Sequence, residues 1–447
     1  MALEANDLEA GLILALERAG IARATGLVRL TGGATMESWR FTAGGINYIL
    51  RRAPSFEFLA ERPFSHNSEA AVICTAHANG VTAPEVVAQL EPEDGIGSGF
   101  VMKALPGTPD PKSILAMDEP DRLLAECAGQ LARIHNLPVS GLPEDIPRLD
   151  PAKGVAKFCD QFDEAGGDRP IIALGLRWLQ DHIPEPVEPV LNHGDYRLGN
   201  LLVENSRLTG VLDWELAHLS DWHEDLAFGC MTVWRFARID RPALGLGAQE
   251  DYFDAYRVNG GRPVDPGRFR FWLIYRTVWW ALGCLRMGAQ WRSGADRSLE
   301  RAVISRRTSE QELDLLMLLE EEAPQAERET PLPSVLAQAD EVGHATISEL
   351  ATAISEWLVT VKPQMEGHDR FQHAVARNAL GLIAREASGV MMQSDRALSD
   401  RLLDGRATLV EPGLLAALRR RALDAVATDM PKYPSLAASR AKWTGEP

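Results

Sequence analysis

Cysteine is scarce in this sequence, and the cysteines that occur form no pattern. The chain of 447 residues contains five, an odd number without a C-x-x-C pair. They are Cys74, Cys127, Cys159, Cys230 and Cys284. This scatter argues against a disulfide framework and against a cysteine zinc site, and it is typical of a reducing compartment. We therefore expect a cytoplasmic protein.

Long apolar runs are also missing. No run approaches the ~20 residues that span a bilayer. The N-terminal sequence MALEANDLEAGLILALERAG has acids within its apolar part and no basic region before it. It therefore does not resemble a signal peptide, and we expect no membrane partner.

The chain lacks a surplus of positive charge, because its formal net charge is −17. Nucleic-acid binding requires excess Lys and Arg to neutralise phosphates, so we expect no nucleic-acid partner. One segment differs: between Arg268 and Arg307 there are nine arginines, opposed only by Asp296 and Glu300. These arginines are either solvated helix faces or a local well for an anionic ligand.

The N-terminal part contains short runs rich in β-branched and aromatic residues. GLVRLT, MESWRFT and INYILRR are separated by glycine-containing turns and predict three consecutive antiparallel strands. A helix from about Asn67 to Ala78 follows, and then two further strands in PEVVAQL and GFVMKAL. The predicted order is three strands, one helix and two strands.

After Pro106 the pattern becomes helical, with apolar residues on one face of DRLLAECAGQLARIHNL. The acidic, proline-bearing segment EEEAPQAERETPLP is typical of a linker, and amphipathic helices follow it. A chain of this length is expected to form two or three domains. We predict domains over residues 1–105, 106–320 and 334–447.

The stretch LNHGDYRLGNLLVENSRLTGVLDWE, residues 191–215, carries the clearest chemical signal. Two strands, around LLV and TGVL, can pair through the ENSR turn and bring Asp213 alongside Asn200, with Asp195 nearby. Phosphoryl transfer needs a carboxylate to accept the hydroxyl proton and hard oxygen ligands for a metal. Asp and Asn also cap turns, but four specified residues at fixed spacing favour a site. For His193 we predict a structural role, bracing the loop backbone.

The motif H-G-D-x-x-x-x-N, followed by a strand that ends in Asp, resembles the catalytic and metal-binding loops of the protein-kinase-like superfamily. HGDYRLGN with VLDWE is most similar to its aminoglycoside phosphotransferase branch. The resemblance covers about residues 20 to 320 and implies an α+β, two-lobed protein-kinase-like fold. Its N-lobe would be a five-stranded antiparallel sheet and its C-lobe mostly helical, with an additional C-terminal all-helical domain. The predicted strand order agrees with this N-lobe.

The resemblance implies ATP and Mg²⁺ as cofactors and assigns roles to individual residues. Asp195 would be the catalytic base, and Asn200 and Asp213 the magnesium ligands. Glu69 would pair with Arg51, which stands in YILRRAP where most kinases use lysine. Arginine is bulkier and binds phosphate with a different geometry, so this departure leaves the nucleotide open.

Other implied roles concern the nucleotide. Gly32 and Gly33, in LTGGATMES, would cover the phosphates with backbone N–H groups. In FVMKALPG the main-chain groups of Lys103 and Leu105 would contact adenine. Asp225 would brace the catalytic loop from beneath.

Within this branch the sequence of these motifs most resembles phosphotransferases related to the kinase-like part of certain acyl-CoA dehydrogenase fusions. This implies a small-molecule alcohol substrate, specifically a hydroxyacyl-CoA, for which the arginine-rich segment would supply positive charge. Four tryptophans nearby would then line an acyl pocket or simply belong to helix cores: Trp272, Trp279, Trp280 and Trp291.

Two alternatives stay open. One is an aminoglycoside or other antibiotic kinase, and the other is a catalytically silent kinase-like scaffold that binds a nucleotide or acyl-CoA. We interpret the C-terminal helices as an accessory or oligomerisation module, and a homodimer is the assembly that this module suggests.

Overall fold

The computed structural model describes residues 5–30, 36–53, 63–333, 346–388 and 394–445. The chain forms two compact units. The first unit comprises residues 1–150, 186–230 and 234–269, and the second comprises residues 151–185, 231–233 and 270–447. Among the described helices none is long and apolar enough to cross a membrane.

A five-stranded antiparallel sheet opens the first unit. Its strands are β1 (Thr25–Arg29), β2 (Glu37–Ala43), β3 (Ile46–Ala53), β4 (Val86–Gln89) and β5 (Ser98–Lys103). They lie in the order β1-β2-β3-β5-β4, and helix α2 (His66–Ala78) separates β3 from β4. The predicted succession of three strands, one helix and two strands is confirmed.

The alternation of side chains along β3 decides which residue reaches the site. Helix α1 (Ala5–Arg18) packs on one face of the sheet, where Tyr48 and Leu50 are buried with it. Because successive side chains point to opposite faces, Arg51 lies on the other face. In the same strand the buried Arg52 pairs with Glu37 on β2.

Two short two-stranded sheets in the first unit carry the predicted motifs. Strand β6 (Val190–Asn192) pairs with β9 (His218–Ser220), and β7 (Leu201–Glu204) pairs with β8 (Arg207–Val211). Asn205 and Ser206 turn the β7–β8 hairpin with positive φ angles, as an asparagine-containing two-residue turn permits. The predicted pairing through ENSR is therefore confirmed.

Helices complete the first unit. They are α3 (Pro111–Leu115), α4 (Pro120–His135), α7 (His223–Cys230) and α8 (Gln249–Val258). Helix α4 packs against α8 and beneath the two short sheets, contacting β6 and β8. The hydroxyl of the fully buried Tyr196 donates to Cys127 O on α4, which ties the motif loop to this helix.

The second unit is helical. It contains α5 (Pro151–Glu164), α6 (Pro170–Asp181), α9 (Pro266–Ser293) from Arg270 onward, α10 (Leu299–Ser305), α11 (Thr308–Leu319), α12 (Gln325–Arg328), α13 (Ile347–Val361), α14 (Gly367–Ser388), α15 (Arg396–Leu403), α16 (Leu414–Asp429) and α17 (Pro434–Thr444). The C-terminal helices belong to this unit, and α16 packs directly on α11. The domain bounds at 105, 320 and 334 stay predictions.

The start of the predicted linker is packed rather than exposed. Glu320 is buried, and Arg419 on α16 donates to its Oε2 from Nε at 3.1 Å and from Nη2 at 2.6 Å. Trp443 Nε1 donates to the same oxygen at 2.7 Å. The acidic composition of this segment therefore reflects a buried carboxylate with cationic partners about 100 residues away, which a local pattern cannot reveal.

Candidate active site

A buried carboxylate supports the motif loop from below. Asp225, on α7, accepts hydrogen bonds from the main-chain N–H groups of His193 at 2.6 Å and Gly194 at 2.8 Å. His135 Nε2 lies 3.3 Å from the same carboxylate. Burial would raise the pKa of Asp225, but these hydrogen bonds and His135 lower it to about 2. The carboxylate is therefore ionised, and it braces the loop as predicted.

Gly194 and His193 shape the start of this loop. Gly194 has a φ of +82°, and a Cβ there would lie 2.3 Å from Leu216 O, so only glycine fits. The His193 ring accepts from the Asp195 N–H through Nδ1 and donates from Nε2 to Leu212 O at 3.0 Å. Burial lowers the pKa of His193, which favours this neutral ring. The ring braces backbone, as predicted.

The predicted base, Asp195, lies between an arginine and an amide. Arg197 donates to its carboxylate from Nε at 2.8 Å and from Nη2 at 3.3 Å. Asn200 Nδ2 donates to Asp195 Oδ2 at 2.6 Å and to its main-chain oxygen at 2.9 Å. Burial raises the pKa of the Asp195 carboxyl above its ordinary value, Arg197 opposes the rise, and the charge of Asp213 adds to it.

The predicted metal ligands are adjacent. The Leu212 N–H donates to Asn200 O at 2.8 Å, so Asp213 follows directly beside Asn200. Asp213 has a φ of +68°, a left-handed conformation that ends the strand direction of β8. Since Asn200 donates through Nδ2, its Oδ1 is the amide oxygen that a cation would meet. A carboxylate and an amide oxygen are hard donors, so this pair fits Mg²⁺.

Arg51 joins three acids. Its Nη2 donates to Asp213 Oδ1 and to Glu215 Oε2, the latter at 3.0 Å. Its Nε lies 3.6 Å from Oε1 of the fully buried Glu69 on α2, so the predicted pair with Glu69 is present. Burial alone would raise the pKa of Asp213, but Arg51 lowers it below its ordinary value. These acids in turn raise the pKa of the Arg51 guanidinium, despite its burial.

The residues predicted to contact the nucleotide differ in their surroundings. The main-chain N–H of Lys103 donates to Glu85 O at 2.9 Å, so Lys103 would meet adenine with its carbonyl group. The Lys103 side chain is paired with Glu85 at 2.6 Å. Leu105 is half-buried, and its side chain lies where a Cβ at Gly210 on β8 would meet it. Gly32 and Gly33 lie outside the described residues.

Two site residues escaped the sequence prediction. Arg197, two positions after the predicted base, holds that base, and its guanidinium lies 4.4 Å from the Trp234 ring centre. Glu215 shares Arg51 with Asp213. Arg197 stands at an x position of H-G-D-x-x-x-x-N and Glu215 two residues after Asp213 in VLDWE, so charge within the quoted stretches was the available signal.

The arginine-rich segment uses most of its charge internally. Five of its arginines form ion pairs with carboxylates of their own unit: Arg268 with Asp221, Arg270 with Glu322, Arg301 with Asp296, Arg306 with Asp429 and Arg307 with Glu310. Arg276 and Arg297 lie over tryptophan rings. Trp272 is fully buried against Phe271 and Tyr275. Neither interpretation, solvated helix faces or an anion well, includes this internal pairing, which reduces the positive charge that an anion well would need.

A family model described as the phosphotransferase enzyme family (APH) matches residues 26–261. This range covers more than half of the chain and includes every residue of the site above. The chain belongs to this phosphotransferase enzyme family. The predicted family resemblance and the predicted enzyme class, a phosphotransferase, are therefore confirmed.

Relatives of this phosphotransferase differ in length and activity. Acyl-CoA dehydrogenase family member 10 from Mus musculus is 31% identical over 248 residues, covering 49% of this chain and 22% of the mouse protein. Aminoglycoside 3′-phosphotransferase from Escherichia coli is 26% identical over 167 residues, covering 35% of this chain and 56% of that enzyme. The chain thus spans about a fifth of one relative and about half of the other.

A solved structure supports the fold. The crystal structure of a candidate aminoglycoside phosphotransferase from Ralstonia eutropha JMP134 has a TM-score of 0.58 to this chain at 20% identity. The likeness covers 70% of this chain and 98% of that protein. The predicted fold class, protein-kinase-like with additional C-terminal helices, is confirmed.

Proposed function

We propose that this chain transfers the γ-phosphoryl group of ATP to a hydroxyl group of a small molecule, with Mg²⁺ as cofactor. The observation that carries the proposal is the convergence of Asp195, Asn200 and Asp213 at the ends of two short sheets, on a loop braced by Asp225. A base beside a pair of hard oxygen donors meets the needs of phosphoryl transfer, which depends on positioning and charge neutralisation.

Each residue has a distinct part in this reaction. Asp195 orients the acceptor hydroxyl and takes its proton as the hydroxyl oxygen attacks the γ-phosphorus and the bond to the bridging oxygen breaks. Asn200 and Asp213 would hold Mg²⁺, which neutralises phosphate charge when bound. Arg51, paired with Glu69, would bind phosphate oxygens, and Lys103 and Leu105 would present main-chain groups to adenine.

We propose a hydroxyacyl-CoA as the acceptor. Support comes from the similarity to acyl-CoA dehydrogenase family member 10, whose name concerns acyl-CoA chemistry. The arginine-rich segment adds little support, since five of its arginines are paired within their units. An aminoglycoside is the competing acceptor, because the chain is also similar to an aminoglycoside 3′-phosphotransferase.

The test measures ADP release with ATP and Mg²⁺ in the presence of 3-hydroxyacyl-CoA thioesters or a panel of aminoglycosides. We expect turnover with the thioesters and about a thousandfold loss in Asp195→Asn, the usual scale for removal of a general base. Asp254→Asn, an exposed acid on α8, is the matched control. Turnover with aminoglycosides alone would mean that the acceptor is an aminoglycoside and not a hydroxyacyl-CoA. Equal activity of Asp195→Asn and the parent chain would refute the role of Asp195.

A catalytically silent scaffold predicts a different set of results. No acceptor would be phosphorylated, and Asp195→Asn would behave as the parent chain. Thermal unfolding with and without ATP and Mg²⁺ separates nucleotide binding from catalysis, because a ligand at 100 times its dissociation constant adds about 2.7 kcal/mol of stability. A stabilised but inactive protein would favour the scaffold. We also propose a cytoplasmic location and a homodimer.

A further inference from the structure

The loop between α7 and α8 has a positive charge in an acidic chain. In residues 234–247, the α7–α8 loop, Arg235, Arg238 and Arg241 recur at every third position. These three arginines and one acid, Asp240, give the loop a formal charge of +2, whereas the whole chain has −17. A local positive patch on an otherwise acidic protein attracts anions to that place.

Each of the three arginines is held by main-chain oxygens. Arg235 donates to Cys230 O from Nε at 3.1 Å and from Nη2 at 2.7 Å. Arg238 Nη2 donates to Leu115 O on α3 at 3.3 Å. Arg241 Nη1 donates to a main-chain oxygen of its own loop at 2.8 Å. A guanidinium has five N–H donors, so each arginine keeps donors for a ligand.

The charge of these arginines is not used in ion pairs. Within the part of the chain that the structure describes, none of the three pairs with a carboxylate. Arg238 is exposed, and Arg235 and Arg241 are half-buried. The arginines of residues 268–307 differ in this respect, because five of them pair with acids. The α7–α8 loop therefore offers the positive charge that the later segment uses internally.

Two successive turns keep the three arginines close together. The Arg238 N–H donates to Arg235 O at 3.0 Å, and the Arg241 N–H donates to Arg238 O at 3.1 Å. The Cα atoms at the two ends of such a turn lie within about 7 Å of each other. Phe236 and Ala237, inside the first turn, have φ angles of +47° and +75°, which are unfavourable for residues with a Cβ. Strained backbone of this kind clusters at ligand sites.

The α7–α8 loop lies beside the predicted base. Its first residue, Trp234, has its ring centre 4.4 Å from the Arg197 guanidinium, and Arg197 donates to Asp195. Further along the loop, the Leu244 N–H donates to Gly229 O on α7 at 2.9 Å. All these residues belong to the first unit. A molecule that presents a hydroxyl group to Asp195 can therefore reach the loop with another of its groups.

We propose that the α7–α8 loop binds an anionic group of the phosphoryl acceptor through Arg235, Arg238 and Arg241. The inference rests on the phosphotransferase function proposed above, and it restricts the acceptor to molecules with an anionic group away from the reacting hydroxyl. Arginine binds phosphate and carboxylate oxygens through paired hydrogen bonds. The phosphates of a CoA thioester supply such a group, and so does the carboxylate of a hydroxy acid. The loop opposes cationic acceptors such as aminoglycosides.

Steady-state kinetics with three acceptors tests the loop. 3-Hydroxybutyryl-CoA carries phosphates, 3-hydroxybutyrate carries a carboxylate, and 3-hydroxybutyryl-pantetheine carries neither. In Arg238→Gln/Arg241→Gln, we expect the KM for the CoA thioester to rise about tenfold, because two charged contacts are lost. The KM values for the pantetheine thioester and for ATP should not change. A rise confined to 3-hydroxybutyrate would support the loop site with a carboxylate as its ligand.

The matched control is Arg133→Gln/Arg262→Gln. These arginines lie in the same unit, one exposed and one half-buried, and also donate to main-chain oxygens. The control should leave every KM unchanged. Equal KM changes for charged and neutral acceptors in Arg238→Gln/Arg241→Gln would overturn the proposal, and so would unchanged KM values.

A binding measurement separates the loop from catalysis. CoA is titrated calorimetrically into Asp195→Asn, with the nucleotide site filled by ADP and Mg²⁺. We expect CoA to bind, and to bind about tenfold more weakly when Arg238→Gln/Arg241→Gln is added. Loop-dependent CoA binding without turnover in the parent chain would support the loop site and overturn the phosphotransferase proposal. Turnover with KM values that do not depend on the loop would overturn the loop site alone.

Discussion

Arg51 donates a hydrogen bond directly to Asp213, so the basic residue of β3 and the predicted metal ligand after β8 are joined across 162 residues of sequence. The same Nη2 reaches Glu215, and Nε faces Glu69. Arginine can serve these acids together because its guanidinium has several donors in one plane. A lysine has a single ammonium group and could not span them in the same way. The guanidinium therefore pairs with Asp213 and Glu215 in addition to the predicted partner, Glu69.

Substitution of Arg51 by lysine should make Asp213 easier for Mg²⁺ to bind. The shorter side chain cannot donate to Asp213 and remain beside Glu69, so one competitor for the carboxylate is removed. We expect the Mg²⁺ concentration at half-maximal activity to fall several-fold in Arg51→Lys. Steady-state rates over a magnesium titration at saturating ATP measure this change.

The control for this substitution is Arg52→Lys, a neighbouring buried arginine whose carboxylate partner is Glu37, on the opposite face of the sheet. It should alter stability without altering the magnesium requirement. An unchanged requirement in Arg51→Lys would mean that the Arg51–Asp213 contact does not compete with the metal. The variant Arg51→Met, which removes the buried cation from its ion pairs with Glu69 and Asp213, should cost about 3–5 kcal/mol of stability.

Removal of the Arg197 charge should shift the pH dependence of catalysis. Burial raises the pKa of Asp195, and Arg197 opposes that rise through its charge and hydrogen bonds. Without this cation the pKa of Asp195 is higher, so the carboxyl becomes an ionised base only at higher pH. We expect the acidic limb of the kcat/KM profile of Arg197→Gln to move upward by about one pH unit. Arg257→Gln, on the exposed side of α8, should leave the limb in place.

The opposite outcome for Arg197 is also informative. A loss of kcat with no movement of the acidic limb would mean that Arg197 acts on the substrate and not on the ionisation of Asp195. A downward shift would contradict the electrostatic assignment. A lysine at position 197 would restore the positive charge but not the planar guanidinium that lies over the Trp234 ring. Rescue by Arg197→Lys is therefore expected to be partial.

The sequence predicted the parts of the fold that depend on local pattern. The β-branched and aromatic content of INYILRR correctly implied a strand, and ENSR correctly implied a turn, because these signals lie within a few residues. The spacing of Asp195, Asn200 and Asp213 predicted their proximity because a single hairpin joins them.

Pairings between distant segments could not be predicted in the same way. Arg306 pairs with Asp429, 123 residues later, so part of the charge of a segment that reads as strongly basic is paired with distant carboxylates. Glu320 similarly meets Arg419, and its segment reads as a linker. The composition of a segment gives its charge but does not identify the distant residues that pair with it. Buried ion pairs between distant segments therefore cannot be predicted from composition.

Substitution of Gly194 by alanine should damage the site more than backbone strain alone explains. The added Cβ would lie 2.3 Å from Leu216 O, between the motif loop and the segment after Asp213. Gly80 has a similar φ of +79° with open space around it, so Gly80→Ala measures the conformational cost alone, about 1 kcal/mol. We expect Gly194→Ala to lower kcat about a hundredfold, since small displacements of catalytic groups have effects of that size.

Comparison of Gly194→Ala with Gly80→Ala separates the effect of the steric clash from that of backbone strain. Both should unfold at lower temperature than the parent chain, and only Gly194→Ala should lose activity while still folded at the assay temperature. Equal activity of the two folded variants would mean that the loop tolerates the clash by moving Leu216 without displacing Asp195.

Asp225 should make stability depend on pH in the acidic range. Its pKa in the folded chain is about 2, below the ordinary 3.8, so between these values the unfolded chain binds more protons. The stabilisation is complete above pH 3.8 and is lost as the pH falls toward 2, and its size is about 2 kcal/mol. Asp225→Asn should therefore lower the urea midpoint strongly at pH 7 and less at pH 3. Asp254→Asn, an exposed acid, should show no such convergence with the parent chain, and a pH-independent deficit in Asp225→Asn would mean that packing, not the ionised carboxylate beneath His193 and Gly194, carries the effect.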